Sequence, residues 1–382
     1  MTTAILSKPA HVAVSVRDPR LDMFRGLGML IILVAHIPGN TWTLWIPARF
    51  GFSDATEMFV FLSGMASAIA FGGTFDRKGA GMLFARVAQR IWQLWWVHVC
   101  LFVAIFAMMI WAGNTNTDQP YFYTLNLQRF VADPGLILDF LRLSYVPNYF
   151  DILPMYIVIL ALMPVMLLAE RVHGALPFAI MAGLWLIAQS HMLQFPAEPW
   201  SDRTWFFDPL GWQLLFYLGF FLRRGTCPAP KAEGWVLKLA IAVVILTVPF
   251  AWFRALEAVP FLKSAAVLIH PLTDKSAFGI LRLVHFLSLA IICVRLAGPE
   301  GVNLSYPAIA PVTEILRCVG QQSLAIFVSS MFLAQALGIV LDHTGRNFGT
   351  TALINLSGFA IAIAIAMVIR WFKSTPWKER RT

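Results

Sequence analysis

The chain has 382 residues, of which 59% are hydrophobic and only 13% charged, and its mean hydropathy is +0.71. An ordinary soluble domain carries about 25% charged residues, so the composition excludes a water-soluble globule, a disordered chain and a fibre, and points to a polytopic membrane protein. The net charge of +9 comes without a basic run interleaved with aromatics, so it reads as Lys and Arg held on the cytoplasmic side and not as nucleic-acid binding.

The spacing of apolar runs predicts an all-α integral membrane protein of about ten transmembrane helices, each needing roughly 20 apolar residues. In chain order they cover Leu21 to Ile37, Glu57 to Phe71, Ile91 to Ala112, Ile152 to Ala169 and Ala175 to Leu193. The series continues with Leu210 to Leu222, Trp235 to Phe253, Ala277 to Ala297, Leu324 to Leu341 and Ala352 to Trp371. With the amino terminus inside, one set of loops carries Lys8, Arg17, Arg20, Arg77, Lys78, Arg86, Arg90, Arg223, Arg224, Lys231 and a basic tail; the other set is poorer in Lys and Arg. This bias predicts both termini on the cytoplasmic side. The division is therefore residues 1–20 as a cytoplasmic segment, 21–371 as the membrane domain and 372–382 as the basic tail. Residues 1–20 lack the apolar core of a signal peptide. The segment from Pro134 to Tyr145, in the longest outer loop, is expected to lie on the outer leaflet.

An ionisable side chain inside a span is costly and so marks a functional candidate. The first helix holds Arg25 and His36, eleven residues apart. At 100° per residue this is three turns plus about 20°, with a rise of roughly 16 Å, so both face one side of the helix at different depths. The short connection from Pro38 to Phe52 is expected to return Asp54 and Glu57 to the depth of His36. A carboxylate there would orient the imidazole and stabilise its charged form, although Asp54 and Glu57 also have the spacing of a helix capping box. Arg86 and Arg90, four apart, share a helix face and with Arg25 make a basic mouth suited to a polyphosphate. His98, Arg282 and His285 read as polar contacts between helices. The four cysteines form no CxxC pair and no HExxH is present, so no metal site is expected.

The stretch from Arg25 to His36, the run Glu57-Met58-Phe59-Val60-Phe61-Leu62-Ser63-Gly64 and the entry Arg86 to Trp92 together resemble the acyltransferase type 3 superfamily of membrane proteins. Asn148 to Tyr156 and Phe207 to Phe216 extend the resemblance to its OpgC branch, the succinyltransferases of osmoregulated periplasmic glucans. The acidic position is commonly aspartate in the superfamily and is Glu57 here, and the Arg86/Arg90 pair matches the third block loosely.

The resemblance implies transfer of a succinyl group from cytosolic succinyl-CoA across a bacterial inner membrane to glucan hydroxyls. It implies no permanently bound cofactor; acyl-CoA, periplasmic glucan and membrane lipid are the partners. Arg25, Arg86 and Arg90 would hold the CoA phosphates. His36 would act as general base or transient acyl carrier, oriented by Glu57 or Asp54. Asp151, Tyr156, Trp212, Gln213, Trp42 and Trp45 would line an outer glucan groove. Two competing readings are O-acetylation of another surface polysaccharide and a proton-coupled carrier that uses His36 and Glu57 as a relay. The carrier would need paired discontinuous helices in matching halves, which the sequence does not display.

Overall fold

The computed structural model describes residues 18–113, 121 and 125–377, and all regular structure among them is helical apart from a single β-bridge between Pro196 and Thr204. Residues 1–17 and 378–382, which hold most of the expected amino-terminal segment and half of the basic tail, lie outside the described residues.

Helix α1 runs Pro19–His36; Asp18 caps it by accepting the Arg20 N–H, and Pro19 supplies a preset first turn. It stops at Ile37 because the following Pro38 disfavours helical backbone in the residue before it. Helix α2, Ala55–Ser67, opens on a full capping box between Asp54 and Glu57. It passes through a π-turn at Ala68–Gly72 into α3, Gly73–Gly113, whose backbone breaks at Gly79 with φ of +77°, a value that glycine adopts without strain. There the chain reverses: Arg86 donates to the carbonyl of Ala70, sixteen residues earlier, at 2.9 Å. A straight helix would put those residues about 24 Å apart.

Among the described residues, six helices are long and apolar enough to cross a membrane: Ala55–Gly113 taken as one, Ile152–Val172, Gly234–Ala251, Ile280–Ala297, Ser323–Thr344 and Phe348–Lys373. Each of the ten stretches read from sequence overlaps a helix, with Ile37, residues 190–193, Trp252 and residues 277–279 among those left outside, and four do not count separately by length and composition. Gly79 folds Ala55–Gly113 into two limbs. Helix α1 carries Arg20, Asp22 and Arg25, while Leu176–Gln189 and Pro209–Arg224 have 14 and 16 residues.

Loop contacts sort into two ends of the bundle. At one end Asp22 meets Gly320, Arg370 pairs with Glu314, and Arg224 bridges Glu170 and Asp76. At the other, Asn40 and Asn355 exchange amide hydrogen bonds, Lys275 pairs with Asp54, and Asp208 N–H donates to the Ser276 carbonyl. The start of α1 and the end of Phe348–Lys373 share the first end.

That end holds a helix the sequence pattern did not suggest, Ala310–Gln321, packed across α1. A Cβ on Gly26 would stand 1.9 Å from the Leu316 carbonyl oxygen, and one on Gly320 would stand 1.8 Å from that of Asp22. The two glycines thus permit backbone-to-backbone contact of the kind small residues allow in membranes. Cys318 is buried in this helix.

The segment from Pro134 to Tyr145 turns one face to the bundle and leaves Pro134, Gly135, Leu138 and Arg142 exposed. Phe140 and Tyr145 are fully buried, and Phe140 stacks on Phe102 of α3 with centroids 4.1 Å apart. Its apolar face finds a protein partner, so it folds into the bundle.

Candidate active site

A cavity of about 420 Å³ opens between α1, the α2–π-turn segment, the start of α3 after Gly79, Ile152–Ala161 and the start of Ser323–Thr344. Arg25, Arg86 and Arg90, the three arginines expected to form a basic mouth, all line it. Arg25 is buried and donates to the Leu62 carbonyl at 2.9 Å. Arg86 is tied to Ala70 and Thr74 at the π-turn, where the missing i→i−4 bonds leave carbonyls available. Gln89, Gln93, Ser63 and Ser67 add polar groups to the walls. Arg25 also lies 3.9 Å from the buried Asp22 carboxylate, which offsets part of its charge; three guanidinium groups with amide and hydroxyl neighbours still suit a multiply charged anion.

His36 is not one of the cavity walls. Its Nδ1 lies 2.7 Å from the Ile32 carbonyl oxygen. A carbonyl only accepts, so Nδ1 carries the proton and the neutral ring presents Nε2 as a proton acceptor. Tyr149 stands edge-on to the ring. Three residues on, Ile152 and Leu153 line the basic cavity. Tyr149 beside His36 and Ile152 and Leu153 in the cavity wall thus belong to one turn, 149–153.

The acidic residues do not partner His36. Ala55 lies against Gly28, its carbonyl oxygen 4.0 Å from where a Cβ would stand, so α2 starts about two turns below His36. Glu57 is fully buried; one carboxylate oxygen accepts from Arg282 Nε at 2.7 Å and the other from the Asp54 N–H at 2.7 Å. Asp54 pairs with Lys275 and lies 3.7 Å from Arg282. The imidazole is thus oriented by its own helix, and the charges of Asp54 and Lys275 act on it only through space. A buried carboxylate takes the nearest cation, and the sequence reading gave Arg282 no specific partner. Arg282 was already legible as an ionisable residue in a span, which must be paired to persist; its partner lies 225 residues away.

Most residues assigned to an outer glucan groove sit elsewhere. Trp212 is wholly buried between Phe207 and Phe278 and donates to the Lys275 carbonyl. Gln213 is wholly buried and donates to the carbonyls of Met181 and Leu210. Asp151 is buried and accepts the Phe206 N–H at 2.9 Å, pinning a loop. All three are buried and held by hydrogen bonds to backbone groups. Tyr156 lines the arginine cavity. Trp42 is half-buried against Phe359, and Trp45 is 75% exposed. His98, expected to pair between helices, is stacked on Phe140, and neither ring nitrogen has a hydrogen-bond partner among the described residues. His285 does pair, with Ser53.

A helical, multi-pass membrane protein with an arginine-lined cavity and, on the helix that supplies Arg25, a histidine whose Nε2 can accept a proton is the class defined so far. The family model described as OpgC protein matches residues 17–374. The chain therefore belongs to the OpgC family, and membership implies an acyltransferase-type enzyme. Neither a curated protein nor a solved structure matches it.

Proposed function

We propose that this chain moves a succinyl group from cytosolic succinyl-CoA to hydroxyls of periplasmic glucans across a bacterial inner membrane. The observation that carries this reading is the cavity lined by Arg25, Arg86 and Arg90, with His36 eleven residues beyond Arg25 on the same helix and its Nε2 turned away from the bond to Ile32. The bundle would cross the membrane ten times, with both termini and the cavity mouth on the cytoplasmic side, in keeping with the arginines gathered there.

Arg25, Arg86 and Arg90 bind the CoA phosphates, and the pantetheine arm carries the thioester toward His36. Nε2 takes the proton of a glucan hydroxyl, and that oxygen attacks the thioester carbon. The C–S bond breaks, and the imidazolium returns the proton to the departing CoA sulfur. The product is an ester that leaves one free carboxylate on the glucan, so each turnover adds one negative charge.

That charge is the test. Glucans extracted from cells making the His36→Ala chain are expected to be neutral on anion exchange and to lack succinyl by mass spectrometry, while the variant still inserts in the membrane. Unchanged succinyl content in that strain overturns the mechanism.

A further inference from the structure

The arginine cavity leans on a residue that does not line it. One wall is the π-turn Ala68–Gly72, which gives Ala70 and Phe71 to the cavity. Arg86 is held by that turn. It donates to the Ala70 carbonyl at 2.9 Å and to the Thr74 hydroxyl, and it lies 5.9 Å from the centre of the Phe71 ring. The turn closes on itself through the Gly73 N–H and the Ala68 carbonyl, five residues apart. Such π-bonding is rare, and it occurs mostly as single turns at functional sites.

Helix Pro209–Arg224 packs along the other side of the turn. Glycines set that contact: a Cβ on Gly64 would stand 1.9 Å from the Phe216 carbonyl oxygen, and one on Gly219 would stand 2.4 Å from that of Phe61. Eight residues after both Gly64 and Phe216, Gly72 meets Arg224. A Cβ on Gly72 would stand 2.5 Å from Arg224 Nη1. The guanidinium therefore seats on the last residue of the π-turn. It is fixed there by two carboxylates. Glu170 accepts from Nε at 2.9 Å and pairs with Nη2 at 2.7 Å. Asp76, one turn past Gly72, accepts from Nη1 at 3.0 Å and from Nη2 at 3.2 Å. The Arg224 and Glu170 side chains are only 17% and 13% exposed, so water screens that pair less than a surface one. A planar fork can join two carboxylates in this way, and an ammonium cannot match its geometry.

We propose that Arg224 is a positioning residue for the arginine cavity: seated on Gly72 and joining Asp76 to Glu170, it fixes the π-turn that holds Arg86 against a bound polyphosphate. That the polyphosphate is CoA rests on the acyltransfer reading; the positioning role rests on the contacts of the turn.

The test uses the full chain in nanodiscs, with CoA and inorganic pyrophosphate as calorimetric probes. Gly72→Ala keeps every charge and displaces the guanidinium with one methyl group. Arg224→Gln removes the bridge, and Arg224→Lys keeps the charge without the fork. Gly72→Ala and Arg224→Gln are each expected to weaken both probes about fivefold, and Arg224→Lys is expected to restore only part of the loss. KM for succinyl-CoA should rise in parallel, with kcat changed less than about twofold. In an Arg86→Gln background the same substitutions should weaken binding little further, because they act through Arg86. A purely structural role would lower the unfolding temperature and add its effect to that of Arg86→Gln. Wild-type affinity for both probes in folded Gly72→Ala and Arg224→Gln chains overturns the inference, and so do losses that add to Arg86→Gln. If the wild-type chain binds pyrophosphate in an Arg224-dependent way but does not bind CoA, the acyltransfer reading fails and the positioning role stands.

Discussion

Tyr149 meets His36 edge to face, with ring centroids 5.2 Å apart and planes at 75°. Its hydroxyl donates to the Met331 carbonyl at 2.7 Å, and its backbone sits at φ of +86°. A non-glycine residue in that left-handed region is strained, and such strain persists only where surrounding contacts impose it. The hydroxyl anchor and the ring contact are those contacts here. With the Ile32 carbonyl fixing one nitrogen, Tyr149 fixes the plane of the imidazole.

Tyr149 is therefore a positioning residue. Tyr149→Phe keeps the ring and loses one hydrogen bond, a change of about 0.5–1.5 kcal/mol in stability; it is expected to retain most of kcat. Tyr149→Ala is expected to lower kcat at least tenfold with KM for succinyl-CoA nearly unchanged, because a misplaced base costs rate and not binding. Steady-state assays on both variants check the split. Equal loss in Phe and Ala variants would assign Tyr149 to the hydrogen bond alone.

The arginine cavity predicts the opposite split. Arg25→Gln and Arg90→Gln each remove a charged donor, and a hydrogen bond involving a charged group contributes about 1.5–3 kcal/mol. KM for succinyl-CoA is expected to rise about tenfold or more while kcat changes less. Arg86→Gln should do the same and also loosen the π-turn, since Arg86 ties Ala70 and Thr74. Titrating CoA against each variant at low and high salt checks it. Affinity that ignores both the substitutions and ionic strength would remove the cavity from the donor site.

The Glu57–Arg282 pair should behave as a buried ion pair. Removing one partner leaves the other charged and unpaired, at a cost of about 3–5 kcal/mol. Glu57→Leu or Arg282→Met alone should lower the unfolding temperature in detergent markedly. The double substitution should recover much of the loss, because the uncompensated charge is gone. Additive losses in the double variant would show that the two residues act separately.

The helical segments were legible because lipid exposure imposes apolar runs of a set length, and the arginine trio was legible because charge in such runs is rare. What sequence left hidden is pairing in space. Arg282 and Glu57 are far apart in the chain, so the carboxylate was assigned to His36, its neighbour in sequence. Trp212 and Gln213 sit at a helix start, where an aromatic facing a core and one facing a groove have the same pattern. The helix Ala310–Gln321 carries Glu314 and Arg317, so it lacks the unbroken apolar run that marks a span, although Gly26 and Gly320 bring it into backbone contact with α1.

Acid should loosen the far end of the bundle through Glu198. Arg203 donates to it at 3.0 Å and Asn126 at 2.7 Å, and Ser201 also donates to it. Burial on its own would raise the Glu198 pKa, but these hydrogen bonds and the Arg203 charge outweigh it and hold the carboxyl below its ordinary value of 4.5. A carboxyl whose folded value is depressed stabilises the fold fully above the ordinary value, and that stabilisation is lost as pH falls through the lower folded value. Arg203 also donates to the Val146 carbonyl at 2.7 Å, and the Val146 N–H donates to Ala197 at 2.8 Å. Glu198 thus clips the residues just before Tyr149, and releasing it frees the backbone that orients His36. Amide protection at Val146 and Ala197, with the intrinsic pH dependence of exchange divided out, is expected to be high at pH 7 and to drop as pH falls below about 4.5. In Glu198→Gln the same amides should be less protected at pH 7 and show little further change in protection with acid. Protection at Val146 that stays constant from pH 7 to pH 3 in the wild-type chain would mean that the clip does not depend on the Glu198 charge.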